Sequence, residues 1–249
     1  MLQNEREQEI LSILRSCGYA SVKTLSRQLF TSESSIRRAL AGLEEKGLAK
    51  RSYGGAALLE SHSNVLPFEE RYRRNVAAKQ AIARKAAPLV GEGSILFLDG
   101  SSTAFYLAAE LQHRSGLTVV TNNPEILSLL SRSKCTVYCS GGRLSEENRS
   151  CLVGPDAQRT FEGIYGDFVF FSTNALTADG ILTDCTREEV AVREVMLRNA
   201  RKKVFLCDSG KLGHCSAYRQ CDLSQVDTLI CETEMGGQFA ETFPRLQIL

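Results

Sequence analysis

The 249-residue chain has no run of apolar residues long enough to cross a bilayer, and its charged start, MLQNEREQE, lacks a secretory signal pattern. A soluble, cytoplasmic protein is the expectation. Among the nine cysteines there is no CxxC pair and no finger-like spacing with histidine, which argues against a zinc module. Free cysteine packs as a small hydrophobe, so buried thiols are the plainer reading, with a redox switch at Cys215 or Cys221 as the alternative. His62, His113 and His214 are far apart in sequence and show no ligand spacing, so no metal site is expected. The chain also lacks a nucleophile motif, a nucleotide loop, internal repeats and low-complexity segments. The formal charge is only +1, so any strong field must be local.

Against these absences, the stretch from Thr31 to Gly47, TSESSIRRALAGLEEKG, stands out. Ser32 is placed to cap a helix on which Ile36, Leu40 and Leu43 recur at i, i+4 and i+7 and gather into one apolar stripe. Gly47 closes it. Ser34, Ser35, Arg37 and Arg38 fall near the N-terminal end, mostly off the stripe, where a recognition helix presents donors to base edges and phosphates. Ser21 can cap a short preceding helix carrying Val22, Leu25 and Leu29, with only a few residues of turn between the two. Ile10, Leu11, Ile13 and Leu14 give a first helix. Leu48 to Leu58 reads as a strand pair around Gly54 and Gly55, with Lys50, Arg51 and Tyr53 on its approach, which is a wing. Residues 1 to 57 carry nine basic and six acidic side chains, a net +3, so the basic excess sits in this small domain. A solvated face is the ordinary reading of a pair such as Arg37 and Arg38; the wing and the capped turn beside them favour DNA contact.

From Glu60 to Ala77 the composition turns polar, with Pro67 and no clean period, as in a linker leading into a helix. Arg71, Arg73 and Arg74 there could touch DNA, with a solvated helix face as the plainer reading. The expected divisions are residues 1–58 for DNA binding, 59–76 as linker and 77–249 as an α/β domain. Beyond the linker the pattern alternates as an open parallel sheet with crossover helices requires. Strands are expected at Ser94 to Leu98, Leu117 to Thr121, Cys135 to Cys139, Asp167 to Phe171, Lys203 to Cys207 and Val226 to Cys231. Helices are expected at Thr103 to Leu111, Pro124 to Leu130 and Thr186 to Ala200.

Ligands of such sheets gather where strands end and helices begin. The turn Asp99-Gly100-Ser101-Ser102-Thr103 opens a helix and is rich in hydroxyls, which suits a phosphate. Asn122-Asn123, Gly141-Gly142-Arg143 and Asp208-Ser209-Gly210-Lys211 follow other strands. A phosphate cradle, polar groups for hydroxyls and a lysine cation together suit a phosphorylated sugar. The structural alternatives are tight turns at Gly100, Gly141 and Gly142, a helix cap at Ser101, and an Asp208–Lys211 pair.

EREQEILSILRSCGYASVKTLSRQL, SSIRRAL and KRSYGGA resemble the winged helix-turn-helix of the DeoR family of bacterial transcriptional regulators. FLDGSSTAFYLAAEL, LTVVTNNPEI, GGRL, GPDA, NALTADGILTD and LCDSGKLG resemble the sensor domain of the same family, whose fold is similar to ribose-5-phosphate isomerase. Three positions depart from the usual pattern: Ala39 where Asp is common, Tyr53 where His is common, and Gly210 where Ser is common. The resemblance implies Ser21, Ser32, Ser34, Ser35, Arg37, Arg38, Arg51, Tyr53, Gly54 and Gly55 as the DNA-facing set. It implies a phosphosugar or related metabolite as effector, with phosphate at Gly100, Ser101, Ser102 and Thr103. Asp99, Asn122, Asp179, Glu189, Asp208 and Lys211 would serve the polyol, with Asn123, Gly141 and Gly142 beside them.

The expected function is a repressor of carbohydrate-metabolism genes, acting as a homo-oligomer on a double-stranded operator, with no cofactor and no membrane partner. An isomerase-like enzyme is the rival: Glu189 as base, Asp179 or Asp208 polarising a hydroxyl, and Lys211 stabilising an enolate. Such an enzyme has no need of a winged helix-turn-helix. A constitutive DNA binder with an inactive sensor is the third reading.

Overall fold

The computed structural model describes residues 3–17, 19–52, 54–60, 65–234 and 239–249; of the residues singled out above, Tyr53 and His62 lie outside them. Contacts divide the chain into two compact units. One comprises residues 1–64 with 174–185 and 211–219, and the other 65–173, 186–210 and 220–249.

The first unit begins with α1 (Gln3–Cys17), β1 (Tyr19–Ser21), α2 (Val22–Gln28), α3 (Glu33–Glu45), β2 (Ala49–Ser52) and β3 (Gly55–Glu60). Both short helices start as their sequences dictate. The Ser21 hydroxyl accepts the Thr24 N–H at 3.0 Å and the Ser32 hydroxyl accepts the Ser35 N–H at 3.3 Å, each satisfying a donor that a helix start leaves orphaned. Gly47, at φ +67°, ends α3. Ile36, Ala39, Leu40 and Leu43 of α3 meet Val22 and Leu25 of α2 and Ile10, Leu11 and Leu14 of α1, with Ala49 and Ala56 closing the core. Truncating one of these leucines to alanine costs about 2–5 kcal/mol. Ala39 is 1 % exposed within this cluster, so the departure at this position places a methyl where a carboxylate would be desolvated. β2 and β3 form the wing hairpin, pairing Arg51 with Ala56, and β1 takes the other edge of β3, pairing Ser21 with Gly55. A Cβ on Gly55 would stand 2.5 Å from the Ala20 carbonyl oxygen and 2.5 Å from the Tyr19 hydroxyl, so this close approach requires glycine. Later in the chain Ala175–Leu176 and Ile181–Asp184 pair antiparallel, and Cys215–Ser216 runs parallel to β3.

The second unit contains α4 (Phe68–Arg73), α5 (Val76–Ala86), β4 (Ile95–Leu98), α6 (Ser102–Leu111), β5 (Ser115–Thr121), α7 (Pro124–Leu130) and β6 (Lys134–Cys139). It continues with α8 (Pro155–Glu162), β7 (Gly166–Phe171), α9 (Arg187–Arg198), β8 (Ala200–Leu206), β9 (Thr228–Ile230) and β10 (Gln247–Ile248). The seven strands form one parallel sheet in the order β10-β9-β8-β7-β4-β5-β6. Leu96, Leu98, Phe170, Val204 and Leu206 pack with α5, α6 and α7 in one cluster. Phe97 points the other way, edge-on to Phe161 of α8 at 5.3 Å. Burial on both faces explains why these strands read as continuous apolar runs. Within the stretch expected as linker, α4 docks through rings: Tyr72 stacks on Tyr106 at 5.2 Å, and Phe68 meets Phe105 edge-on at 5.7 Å. Among the described residues no helix is long and apolar enough to cross a membrane.

The chain winds from β4 outward through β5 to β6, then resumes on the opposite side of β4 with β7, β8, β9 and β10. The crevice at the carboxyl ends of β4 and β7 is therefore the switch point of the sheet, where open α/β folds bind ligands.

Candidate functional site

On α3 the side chains divide by task. Ser32 and Ser35 are joined to each other at 2.9 Å and serve the cap. Ser34, Arg37 and Arg38 are exposed on the N-terminal half. Arg37 pairs with Glu33 one turn back at 3.0 Å; both side chains are solvated, and such a pair contributes little and parts readily for a phosphate. The Ser21 hydroxyl is likewise engaged in capping α2. On the wing, Arg51 is held by Glu44 of α3, with its Nε donating at 2.6 Å and its backbone N–H at 3.1 Å. Lys50 approaches the same carboxylate at 3.7 Å. The hydrogen bond from Arg51 holds the Glu44 carboxyl below its ordinary value, so Glu44 is ionised at neutral pH. Gly54 makes the wing turn at φ +85°.

At the switch point of the second unit, Ser101 caps α6 and accepts the Ala104 N–H at 3.1 Å. The N–H groups of Ser102 and Thr103 follow in the first turn, where a helix offers them no carbonyl, and the macrodipole favours an anion there. Asp99 is 1 % exposed and its oxygens are committed. Oδ1 accepts the Ser101 N–H at 3.1 Å; Oδ2 accepts the Ser172 N–H at 3.1 Å and the Arg193 Nε–H at 3.0 Å. Asp99 therefore shapes the turn and ties β4 to the residue after β7. Arg193 in turn donates to the Gln220 side chain at 2.8 Å and lies 4.0 Å from Glu189.

Four buried polar atoms mark the same edge. Thr103 Oγ1 in the first turn of α6, Asn122 Oδ1 and Asn123 Nδ2 after β5, and Ser140 Oγ after β6 have no hydrogen-bond partner among the described residues. Each such group costs free energy in the ligand-free chain, and native proteins keep few of them. Asn122 fixes its Nδ2 on Cys151 Sγ and the Leu152 carbonyl, both at 3.0 Å, which turns Oδ1 away from them. A Cβ on Gly100 would meet Cys151 Sγ at 2.5 Å and Asn122 Oδ1 at 3.7 Å, so glycine is required where the buried Cys151 packs against this turn.

Glu189 is buried in the first turn of α9, its Oε1 accepting from Asn148 at 3.0 Å, while Asn148 Oδ1 accepts from Arg71 of α4 at 2.8 Å. Asp208 follows β8 and accepts the Asn75 amide at 2.9 Å. The next residue, Ser209, gives its N–H to Glu232 at 3.0 and 3.1 Å, so that loop already holds a carboxylate where an anion would otherwise sit. Gly141 and Gly142 are exposed. At φ +102° and 2.4 Å from Cβ position to the Val153 carbonyl, Gly142 has a structural reason of its own. Asp179 and Lys211 belong to the first unit; Asp179 is on the turn between the paired strands there, accepting from the Thr177 hydroxyl.

Sequence reasoning missed Arg193, Asn148, Arg71, Asn75 and Cys151. The signal for Arg193 was present: Glu189 and Arg193 stand four apart on the face of α9 that also carries Val192 and Met196, and a charged pair on an apolar face marks a buried network. Cysteines 151 and 215 are buried and burial pushes both thiols up, which leaves them protonated and poor redox nucleophiles.

Comparison with known proteins gives two family matches. A DeoR-like helix-turn-helix domain matches residues 6–62, and the DeoR C terminal sensor domain matches residues 74–233. The HTH-type transcriptional regulator GlpR of Haloferax volcanii is 32% identical over 241 residues, 97% of this chain and 94% of its own length. The glycerol-3-phosphate regulon repressor of Escherichia coli is 29% identical over 230 residues, 92% of this chain and 90% of its own. Among solved structures, ribose 5-phosphate isomerase A from Methanocaldococcus jannaschii overlaps 54% of this chain and 53% of its own, with 18% identity and a TM-score of 0.41.

Proposed function

This chain is a DNA-binding transcriptional regulator of the DeoR family, and we propose that it represses carbohydrate-metabolism genes until a phosphorylated sugar or related metabolite releases it from its operator. The observation that carries the effector class is the opening of α6: two first-turn N–H groups at a helix N-terminus, beside buried Thr103 and Asn122 atoms that have no partner among the described residues. Phosphate takes the turn from Gly100 to Thr103, and the sugar hydroxyls take Asn122, Asn123 and Ser140. Glu189 and Asp208 flank the polyol as further acceptors. Asp99 and Arg193 hold the turn in shape from beneath.

Ser34, Arg37 and Arg38 address base edges and phosphates in the major groove, and Arg51 with the Gly54 turn follows the backbone. The basic domain spans about residues 1–58 and the sensor about 77–249. A homo-oligomer fits this use, because two recognition helices one DNA turn apart read an inverted repeat. The relatives named by function are regulators, one of them a glycerol-3-phosphate regulon repressor, and the enzyme alternative is set aside on that ground.

A thermal-shift screen of the full chain against phosphorylated sugars and polyols, with their unphosphorylated parents alongside, tests the reading. Stabilisation by a phosphorylated compound and not by its parent, with loss of DNA binding in its presence, is the expected result. Stabilisation by none of them refutes the effector class.

A further inference from the structure

Phe30 breaks two structural rules at one position. It is 96 % exposed, more than any other large apolar side chain described. Its backbone is left-handed, at φ +47°, and among the described non-glycine residues only Asn75 shares that region. Asparagine tolerates it, whereas a bulky aromatic residue there is an outlier.

The backbone geometry has a local cause. After α2 the Thr31 N–H reaches back to the Ser26 carbonyl at 3.1 Å, the Phe30 N–H to the Arg27 carbonyl at 3.4 Å, and the Ser26 hydroxyl donates to the Thr31 carbonyl. These bonds set a tight corner between α2 and α3. They need a residue with a left-handed backbone and make no use of a ring. Glycine would satisfy the corner without strain and without a bare apolar surface. Strain at a side chain left this exposed points to a contact outside the chain.

The position of the corner identifies the partner. Phe30 stands two residues before Ser32, the cap of α3, whose N-terminal half carries the exposed Ser34, Arg37 and Arg38. A recognition helix enters the major groove by that half, which carries the preceding turn against the strand bordering the groove. From Ser21 to Ser32 there is no acidic residue, and Lys23 and Arg27 are exposed; the next acidic side chain, the exposed Glu33, is paired with Arg37 at 3.0 Å, so the edge is basic on balance. We propose that Phe30 is a DNA-contacting residue, its ring packed on the apolar sugar edge of the strand beside the groove that α3 enters. It adds a contact insensitive to salt to an interface built otherwise from hydroxyls and cations. This rests on the DNA-binding activity and is independent of the effector reading.

The test uses the full chain and a duplex that the parent chain selects from a random-sequence pool. Phe30→Gly and Phe30→Asn are expected to weaken binding about tenfold, the effect of losing one buried ring, while Phe30→Tyr retains it. The slope of affinity against salt stays that of the parent, since no phosphate contact is lost. Both weakened variants melt no lower than the parent, because the corner prefers those residues. Parental affinity in the Gly and Asn variants overturns the proposal and assigns the ring to a protein partner, such as a second copy of this chain. A lower melting temperature in both also overturns it, since the ring would then pack within the chain. Arg37→Ala, measured on the same duplex, loses affinity in either case, so a failure at Phe30 is separable from a failure of the DNA-binding face.

Discussion

Replacing Thr103 by valine should stabilise the chain and weaken its effector at once. Thr103 is fully buried in the first turn of α6, and its Oγ1 has no hydrogen-bond partner among the described residues. Valine keeps the shape and the branched Cβ, so packing is conserved. Removing a buried hydroxyl that bonds to nothing relieves a desolvation penalty of about 1–3 kcal/mol, and urea unfolding of the ligand-free chain should show that gain. If the same hydroxyl donates to an anionic effector oxygen, its loss removes a charge-assisted bond of about 1.5–3 kcal/mol. At 1.4 kcal/mol per decade that is roughly a 10- to 150-fold rise in Kd, read by titration calorimetry with the compound that the thermal-shift screen identifies. The two effects have opposite signs, so a general disturbance of the fold cannot imitate them. A less stable variant would mean that Oγ1 is satisfied within the chain. Unchanged effector affinity would falsify the placement of the ligand at this turn.

Arg37→Ala should weaken operator binding by at least about 1 kcal/mol while leaving effector affinity intact, since its ion pair with Glu33 is a solvated one; equal affinity at fixed salt removes Arg37 from the interface. Arg193→Met strips the buried Asp99 and Glu189 carboxylates of their shared cation and should cost about 3–5 kcal/mol in urea unfolding; a loss well under that range shows the network to be solvated. Glu44 predicts an acid limb. Its carboxyl is held below the ordinary value when folded, so its contribution is complete above the unfolded value and is lost as pH falls through the lower folded one. Melting curves of Glu44→Gln should therefore converge on those of the parent only as pH falls below the ordinary glutamate range, and a constant gap between the two excludes that linkage.

The helix-turn-helix was legible because each boundary has a local cause. Ser21 and Ser32 form the caps they were expected to form, and Pro124–Leu130 is a helix over the same residues as the pattern predicts. Strand ends were less legible. β8 begins at Ala200, three residues before the apolar run, because Arg201 and Lys202 are exposed on a strand start that pairs with β7 through backbone bonds alone. The eight-residue α8 was missed because only Ala157 and Phe161 of it are buried, too few to show a period. The pairing of Ala175–Leu176 with Ile181–Asp184 joins pieces too short to alternate visibly. Of the loops proposed for the effector, the helix-opening character of the turn from Asp99 to Thr103 could be read, because Ser101 is a capping residue placed before an apolar helical run. The commitment of both Asp99 oxygens to Ser101, Ser172 and Arg193 could not, since it joins residues 94 apart in the chain and depends on the order of strands in the sheet.

Stabilisation by a ligand and release from DNA are separate requirements. The unpartnered atoms at Thr103, Asn122, Asn123 and Ser140 mean that a complementary ligand gains bonds the empty chain lacks, and at a hundredfold excess over its Kd it stabilises the chain by about 2.7 kcal/mol. That gain alone leaves operator affinity unchanged, because a ligand with equal affinity for the DNA-competent and incompetent forms shifts nothing between them. A hundredfold loss of operator binding needs a ligand preference of about 2.7 kcal/mol for the incompetent form, and by reciprocity operator DNA must then weaken the ligand a hundredfold. Ligand titrations with and without a saturating operator duplex measure that ratio directly. A compound that raises the melting temperature but binds equally well in both titrations occupies the crevice without being the inducer, and the search for the effector must then continue among phosphorylated compounds that fill the Asn122, Asn123 and Ser140 positions differently.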